Sequence, residues 1–190
     1  MKRSREIVEI FADVVARTSA NCTIVVSDNN DEYISVDCPT INYIFGNARY
    51  VKDYLDELSK DPTSANLKYP LIALFCPFVE KRNTPDFYSQ AKVRVLIACA
   101  STNQFSNEQR RQISFENILR PIYRNFLEAL KEDGRFDFGY NEHVQHDYSE
   151  NYSYGRYGAV TDTGEEVTDS IDAINITNLI LNVNPANCRE

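Results

Sequence analysis

The feature that most constrains this sequence is a long apolar stretch near its end, about residues 172–183. Along it, every second residue is apolar, but the apolar residues change from even-numbered to odd-numbered positions. Its apolar residues are Ile174 and Ile176 on one parity, then Leu179, Leu181 and Val183 on the other. Successive side chains of a strand point to opposite faces, so a strand keeps one buried face across such a switch only if a residue is inserted. The pattern therefore predicts a long strand that closes a sheet and carries a β-bulge near Thr177 and Asn178.

Length and cysteine usage predict one domain without covalent cross-links. A chain of 190 residues is long enough to bury about 70% of the surface that its unfolded form exposes, and we expect a single domain over residues 1–190. The five cysteines are irregularly spaced: Cys22, Cys38, Cys76, Cys99 and Cys188. Several lie in apolar runs, which is typical of small, reduced core residues rather than of disulfides or a zinc site.

Charge and hydropathy limit the classes of partner. The formal net charge is −8, which opposes general binding to phosphate backbones. The sequence does not begin like a signal peptide, and its longest apolar run, residues 71–79, is shorter than the ~18 residues needed to span a bilayer. We therefore expect a soluble protein with no membrane partner.

Hydrophobic periodicity predicts three helices and several strands. The helices are expected at residues 5–17, from Asn47 to the residue before Asp61, and from Ser114 to Gly134, with Pro121 either kinking the third helix or marking its first turn. Strands are expected at residues 22–27, 33–37, 69–75 and 91–100. This order predicts an α+β fold, in which about three helices cover one face of a mostly antiparallel sheet that carries long extended loops.

Three segments are the candidates for contacts with other proteins. Residues 80–90 form an unusually long hairpin connection, residues 101–112 form a second loop, and residues 135–168 form an irregular arm rich in tyrosine. Long connections tend to be functional, and tyrosine is enriched at protein interfaces. The predicted interface residues are Lys81, Arg82, Asp86, Phe87, Tyr88, Phe105, Arg110, Arg111, Tyr148, Tyr152, Tyr154 and Tyr157.

No residue pattern in the sequence indicates catalysis. His143 and His146 are the one pair with metal-ligand spacing, but no third cysteine or histidine is placed to complete a site. The scattered glycines form no phosphate-binding turn, and no nucleophile motif is present. We expect neither enzymatic activity nor a cofactor nor a bound metal.

A resemblance to a known family rests on the order and character of these segments. They are residues 69–75, 93–100, 118–127, 154–158 and 172–179, which together span most of residues 65–183. This arrangement resembles the tail-terminator and tail-completion proteins of tailed bacteriophages and the related ring proteins of phage necks. The resemblance lies in the order of these segments and in the kinds of residues that they contain, and it includes no catalytic motif.

The resemblance implies a structural virion protein assembled in the host cytoplasm. Copies of the chain would form a hexameric or dodecameric ring in the neck, in contact with neighbouring neck and tail proteins. The ring would join the portal side to the tail and leave a channel through which genomic DNA passes without specific binding. Closure of such a ring requires a heterologous interface, and we expect shortening of residues 80–90 to prevent assembly.

Two other functions remain open from the sequence. One is a small metal-dependent enzyme that uses His143 and His146, for which stoichiometric metal in the purified protein would be the evidence. The other is a monomeric, host-directed binding module, which would lack a fixed copy number in mature particles. The sequence also leaves open the copy number of a ring and its position, as a terminator or as an adaptor nearer the portal.

Overall fold

A computed structural model describes residues 6–27, 32–61, 65, 67–82, 86–154 and 170–184. The first half contains α1 (Ile7–Asn21), β1 (Thr23–Ser27), β2 (Tyr33–Asp37), β3 (Asn42–Gly46) and α2 (Ala48–Leu58). The second half contains β4 (Leu71–Arg82), β5 (Ser89–Ala100), the long helix α3 (residues 107–132), β6 (Asp147–Asn151) and β7 (Ile171–Val183). Helix α3 is α-helical over Asn107–Gln109, π-helical over Arg110–Leu119 and α-helical again over Arg120–Glu132.

The strands form one large and one small sheet. The main sheet has five strands in the order β3-β4-β5-β7-β6, and β1 and β2 form a separate antiparallel pair. Within the main sheet only β3 and β4 run parallel, because the chain crosses between them through α2. The remaining neighbours are antiparallel. The α+β class and the mostly antiparallel sheet are therefore confirmed.

The helices lie on both faces of the main sheet, which corrects the expectation that they cover one face. Helices α1 and α3 and the β1–β2 pair cover one face and enclose the larger core, in which Phe11, Phe115 and Phe126 are completely buried. Helix α2 lies on the opposite face, where Val51 and Leu55 pack in a smaller cluster. The sheet residues of this cluster are Ile44, Leu71, Ala73, Leu96, Ala98, Ile171 and Ala173.

The predicted bulge in the closing strand is confirmed. Val93 of β5 pairs with Leu179, whereas Val95 pairs with Ile176, so Thr177 and Asn178 lie together opposite the single residue Arg94. Asn178 adopts a φ of 56°, a left-handed conformation that asparagine tolerates better than most residues. The inserted residue lets the apolar side chains on both sides of the bulge stay completely buried in one core.

Substitution of Asn178 tests this conformation. We expect Asn178→Val to lower the free energy of unfolding by about 1–2 kcal/mol more than Asn178→Gly, because a β-branched residue is strained at positive φ and glycine is not. Both variants lose the hydrogen bond that the Asn178 amide donates to Asp147, so their difference isolates the backbone. Urea denaturation of the two variants measures it, and equal stabilities would contradict the assignment.

The hairpin connection is shorter than the sequence suggested. Strand β4 continues to Arg82 and β5 begins at Ser89, with Lys81 paired to Gln90 and Arg82 to Ser89. Residues 83–88 therefore connect the strands, and the expected loop over residues 80–90 is wrong at both ends. The two arms pair with each other over Val79–Arg82, and the β5 arm also pairs with β7.

The third helix also begins earlier than its apolar stripe predicted. Ser106 caps it through a capping box with Gln109, a polar signal that the apolar pattern does not contain. The loop expected at residues 101–112 therefore ends at residue 106. Pro121 lies inside α3, in the first turn after the change from π-helix to α-helix, so it does not mark the start of the helix. The π-helical segment before it was not predicted.

Two further sequence expectations were incomplete. Strand β3 was missed, and the arm expected to be irregular contains β6, which pairs with β7 over its whole length; residues 155–168 of the arm lie outside the described residues.

Cys22 and Cys99 are buried free thiols as expected, whereas Cys38 is exposed and Cys76 is half-buried. No helix within the described residues has the length and hydropathy to cross a membrane.

Candidate assembly surfaces

Among the described residues, none covers part of the main sheet on the face that carries α2, and we call this part the open face. Its residues are Phe75, Val79, Lys81, Lys92, Arg94 and Ile180. Phe75 pairs with Arg94, and Lys92 pairs with Val79 on one side and Ile180 on the other. Directly paired residues project from the same face of a sheet, so these side chains form one continuous surface. The alternate residues of β5, Ala91, Val93 and Val95, belong to the core beneath α1 and α3.

The open face exists because α2 is short while the hairpin is long. Helix α2 covers the sheet near Leu71, Leu96 and Ala173, and β4 and β5 continue well past it. Val79 is consequently 75% exposed, although it lies in a strand and pairs with Lys92. An apolar side chain at such a site contributes little to folding and is available for contact with another molecule.

The open face is cationic, in contrast to the chain as a whole. Lys81, Lys92 and Arg94 are all exposed, and the Arg94 guanidinium lies 4.1 Å from the centre of the Phe75 ring. The neighbouring acid Glu80 projects from the other face and accepts a hydrogen bond from Arg82 at 2.7 Å. Between α2 and the bulge, an open cavity of about 340 Å³ is lined by Phe75, Lys92 and Arg94. The result is a mixed apolar and basic surface on a protein of net charge −8.

A second exposed apolar surface lies at the free end of the β1–β2 hairpin. Tyr33 is 53% exposed and Ile34 is 47% exposed, while Ile24 and Val36 at the other end anchor the hairpin to the larger core. Residues 18–48 contain the acids Asp28, Asp31, Glu32 and Asp37 and no lysine or arginine. Among the described residues of this hairpin the charged side chains are Glu32 and Asp37, and its two large exposed side chains lie on the opposite side of the main sheet from the open face.

The tyrosines near β6 form a third cluster, which joins that edge strand to α3. The Tyr123 and Tyr148 rings lie 4.9 Å apart, and Arg120 donates to Glu150 at 2.7 and 3.1 Å. Hydrogen bonds from Arg120 hold the pKa of Glu150 below its usual value, whereas burial raises the pKa of Tyr148. Tyr148 is still 42% exposed, so this predicted interface residue keeps an accessible face.

The two histidines are not arranged as metal ligands. The imidazole of His146 lies 2.7 Å from the Tyr123 hydroxyl through Nε2 and 2.7 Å from the Val144 carbonyl oxygen through Nδ1. His143 is exposed. Among the described residues, no group of three or more His, Cys, Asp or Glu side chains could hold a metal ion. His146 instead positions the segment before β6 on α3.

Arg110 has a structural role rather than the predicted role at an interface. Its side chain is 4% exposed and its guanidinium donates to Asp172 at 2.7 Å, to Ser101 at 2.6 Å and to the Thr102 carbonyl at 2.6 Å. Asp172 also accepts from the hydroxyls of Ser101 and Ser114, both at 2.7 Å, and from the Ser153 amide at 2.8 Å. The sequence analysis could not foresee this burial, because the two charged residues lie 62 positions apart.

The other predicted interface residues divide into exposed and partly buried groups. Lys81, Arg82 and Asp86 are exposed, and Phe87, Tyr88 and Phe105 are partly buried. Arg111 is partly exposed and pairs with Glu108 and Glu116 within its own helix. The centre of the Tyr152 ring lies 4.7 Å from that of Phe115, with the two rings tilted, and Tyr154 packs against the smaller core cluster. Tyr157 lies outside the described residues. Of the predicted residues that the structure describes, only Lys81 belongs to the open face.

Lys92, Arg94 and Val79 were missed as surface residues, although the sequence contains a signal for the two cations. The strand predicted at residues 91–100 alternates charged and apolar residues only in its first half, at Lys92 and Arg94, and is apolar afterwards. This change indicates a strand that is covered on both faces at one end and on one face at the other. Val79 gave no comparable signal, because an apolar residue in a strand is usually buried.

Comparison with known proteins adds no relative to these observations. No protein-family model matches the sequence. The search of curated proteins likewise found no significant match.

Proposed function

We propose that this protein is a structural component of the neck of a tailed bacteriophage. Copies of the chain form a closed ring that joins the portal side to the tail and leaves a channel for the genome. The proposal is supported by the resemblance in the order and character of the chain segments, and by an α+β fold of the expected class with an edge strand and a long hairpin available for contacts.

The observation that carries the proposal is the open face. Val79 is 75% exposed and lies among three cationic side chains on a protein whose net charge is −8. Apolar residues surrounded by charged ones are the usual composition of a specific protein interface, in which the apolar part supplies binding energy and the charges set orientation. A role in assembly explains why the chain keeps such a surface in water.

The ring is tested by measuring the mass and shape of the purified protein. We expect size-exclusion chromatography with light scattering to show a discrete oligomer above the monomer mass of 21.8 kDa. We expect electron microscopy to show closed rings with a fixed number of subunits. A neck protein must also be present in purified virions at that copy number, which quantitative mass spectrometry measures.

One result would overturn the proposal. If the protein stays monomeric up to millimolar concentration and does not bind neck or tail proteins of the same virion, it does not form a ring in the neck. A stoichiometric metal bound through His143 and His146, together with catalytic turnover, would instead favour a small metal-dependent enzyme.

A further inference from the structure

We propose that the turn at residues 139–142 of one copy inserts its Tyr140 side chain into the cavity on the open face of the next copy. This inference rests on the proposed ring and names the two surfaces that form its repeated contact. We call the first surface the Tyr140 turn. All the residues that form the turn and line the cavity lie within the described part of the chain.

Tyr140 is the most exposed large apolar side chain among the described residues. It is 103% exposed, and no other such side chain exceeds the 75% of Val79. An aromatic ring that stands fully in water gains more from burial in a contact than a ring that is already partly covered. The Tyr140 side chain is therefore the best aromatic anchor that the described chain offers to a partner.

The turn is held in one conformation before any partner binds. The Asp137 amide donates to the Asn182 carbonyl at 2.8 Å, and the Ile180 amide donates to the Gln145 carbonyl at 3.1 Å, so both ends of the segment are bonded to β7. Between these ends, the Gly139 amide donates to the Asp137 carboxylate at 2.7 Å. A segment that is already ordered loses little conformational entropy when it binds.

The cavity on the open face is suited to an aromatic side chain. Its volume is about 340 Å³, and it lies between Ala48 at the start of α2 and the bulge in β7. Phe75 and Arg94 line it, with the guanidinium 4.1 Å from the centre of the ring. Aromatic rings pack favourably on other rings and on guanidinium groups, so a tyrosine that enters the cavity contacts both.

The charges around the two surfaces are complementary. Residues 136–145 contain the acids Asp137 and Glu142 and no lysine or arginine. Lys92 and Arg94 line the cavity, and neither forms an ion pair with a described carboxylate. Opposite potentials steer the turn towards the cavity, whereas two open faces repel each other.

The other exposed tyrosines of the described chain lack this combination. Tyr148 and Tyr152 pack against aromatic residues of α3. Tyr50 follows Arg49, a cation that the basic face would repel. Tyr33 is only half exposed. The described residues therefore favour the Tyr140 turn as the occupant of the cavity.

The contact is heterologous because the two surfaces are different parts of a copy. The Tyr140 turn projects from the edge of the main sheet at the end of β7, next to the bridge between Phe136 and Val183. The cavity lies on the face of the sheet, beside α2. Repetition of one heterologous contact produces a closed ring when the rotation between copies closes.

Two variants test the pairing because each removes one surface. The turn variant is Tyr140→Ser, and the face variant carries Lys92→Glu and Arg94→Glu. All three residues are exposed, so both variants are expected to keep the circular dichroism spectrum and melting temperature of the wild type. We expect each to weaken self-association about thirtyfold or more in sedimentation velocity, the usual effect of removing an anchor or reversing paired charges. If the face variant melts below the wild type, Lys92→Gln with Arg94→Gln replaces it.

Mixing the two variants gives the decisive result. The turn variant retains an intact cavity and the face variant retains an intact turn, so one productive contact remains possible between them. We expect the mixture to form a one-to-one heterodimer that grows no further, although each variant alone is monomeric at the same concentration. Failure of the mixture to associate would overturn the pairing.

Carbodiimide cross-linking of the wild type identifies the contact directly. The reagent joins a lysine amine to a neighbouring carboxylate, forming an amide with loss of water. We expect mass spectrometry to find Lys92 linked to Asp137 or Glu142. A mixture of ¹⁴N-labelled and ¹⁵N-labelled protein should show that the link joins two different copies. Links from Lys92 to other acids alone would contradict the proposed contact.

Matched controls separate the contact from general changes in hydropathy or charge. Tyr33→Ser makes the same substitution at an exposed tyrosine of the β1–β2 hairpin. Lys60→Glu with Arg124→Glu changes the net charge as much as the face variant does, at two other exposed positions. Both controls are expected to assemble like the wild type, and loss of assembly in Tyr33→Ser but not in Tyr140→Ser would overturn the pairing.

The outcomes distinguish this inference from the proposed function. Wild-type rings together with variants that still form rings would overturn the pairing and leave the ring intact. A wild type that never assembles would overturn the proposed function and the pairing with it. Binding of duplex DNA by the wild type that is lost in the face variant would also overturn the pairing, because it would make the open face a nucleic-acid surface.

Discussion

Replacement of Asp172 by asparagine is expected to lower the free energy of unfolding by about 3–5 kcal/mol, the usual cost of leaving one member of a buried ion pair without its partner. The Asp172 side chain is completely buried and that of Arg110 is 4% exposed. Asparagine keeps the shape of the side chain but removes the charge that balances the guanidinium. Its amide group also replaces an acceptor with a donor that would face the Ser101 and Ser114 hydroxyls or Arg110.

The position of Asp172 adds to the expected effect. Its carboxylate joins four parts of the chain: β7, the loop at Ser101, the π-helical segment at Ser114 and the backbone after β6 at Ser153. Loss of the charge therefore loosens several elements at once. Urea denaturation followed by circular dichroism measures the change, and Asp147→Asn, at an exposed position in β6, is expected to change stability by no more than about 0.5 kcal/mol.

The Cys99 thiol provides a second measurement at the same place. Burial, followed by the charge of Asp172, raises the pKa of Cys99 to about 12, so this thiol is protected from alkylation in the native protein. We expect Asp172→Asn to speed labelling of Cys99, measured by mass spectrometry of the peptide that contains it. Unchanged stability with unchanged protection would contradict the structural role assigned to Asp172.

Replacement of Asp133 by asparagine is expected to destabilise the protein by about 2–3 kcal/mol, because it removes the buried carboxylate that bonds to two arginines and leaves Arg135 with only the exposed Asp13 as an acidic partner. Asp133 is 2% exposed and accepts from the Arg135 guanidinium at 2.8 and 2.7 Å, and Arg17 of α1 pairs with the same carboxylate. This group joins the end of α3 to α1. Glu128→Gln is the matched control, since its partner Lys131 lies at the surface and such pairs contribute about 0.5 kcal/mol or less.

The same carboxylate predicts how stability depends on pH. Burial by itself would raise the pKa of Asp133, but hydrogen bonds and charge from Arg135 outweigh it and hold the pKa below its ordinary value of 3.8. The unfolded chain therefore binds a proton more readily than the native protein does. The stabilisation from Asp133 is present above the ordinary pKa and is lost as the pH falls through the native pKa.

We expect this loss to be smaller in the Asp133→Asn variant. Between about pH 5 and pH 2, wild-type stability should decline more steeply than that of the variant, because one carboxylate with a lowered pKa has been removed. Denaturation curves at several pH values measure both slopes. Parallel slopes for the two proteins would mean that Asp133 does not contribute to acid unfolding.

The elements that the sequence predicted are those with a strong local pattern. The stripe in α1 and the Asn47 cap of α2, whose side chain accepts from the Tyr50 amide at 2.8 Å, both depend on residues within a few positions of each other. Strand β3 lacked such a pattern, since it is short and only Ile44 of its residues is buried. It forms because the edge of β4 is available for parallel pairing, which is a property of the assembled sheet.

The candidate surfaces were less predictable than the elements. Most of the predicted contact residues were chosen because they lie in apparent loops, yet Lys81 and Arg82 extend a strand and Arg110 is buried. Exposure depends on what packs against a residue, and that packing partner is distant in sequence. The open face could not be located without knowing where α2 ends on the sheet.

The sequence by itself determined the type and order of most elements and the bulge at Asn178, because the parity of apolar residues along one strand already encodes an inserted residue. Only the tertiary structure decided that α2 covers the opposite face from α1 and α3, that Arg110 meets Asp172, and that the described residues leave part of one sheet face open. The physical reason is that alternation and helical periodicity arise between near neighbours, whereas coverage and ion pairing arise between segments that meet only when the chain folds.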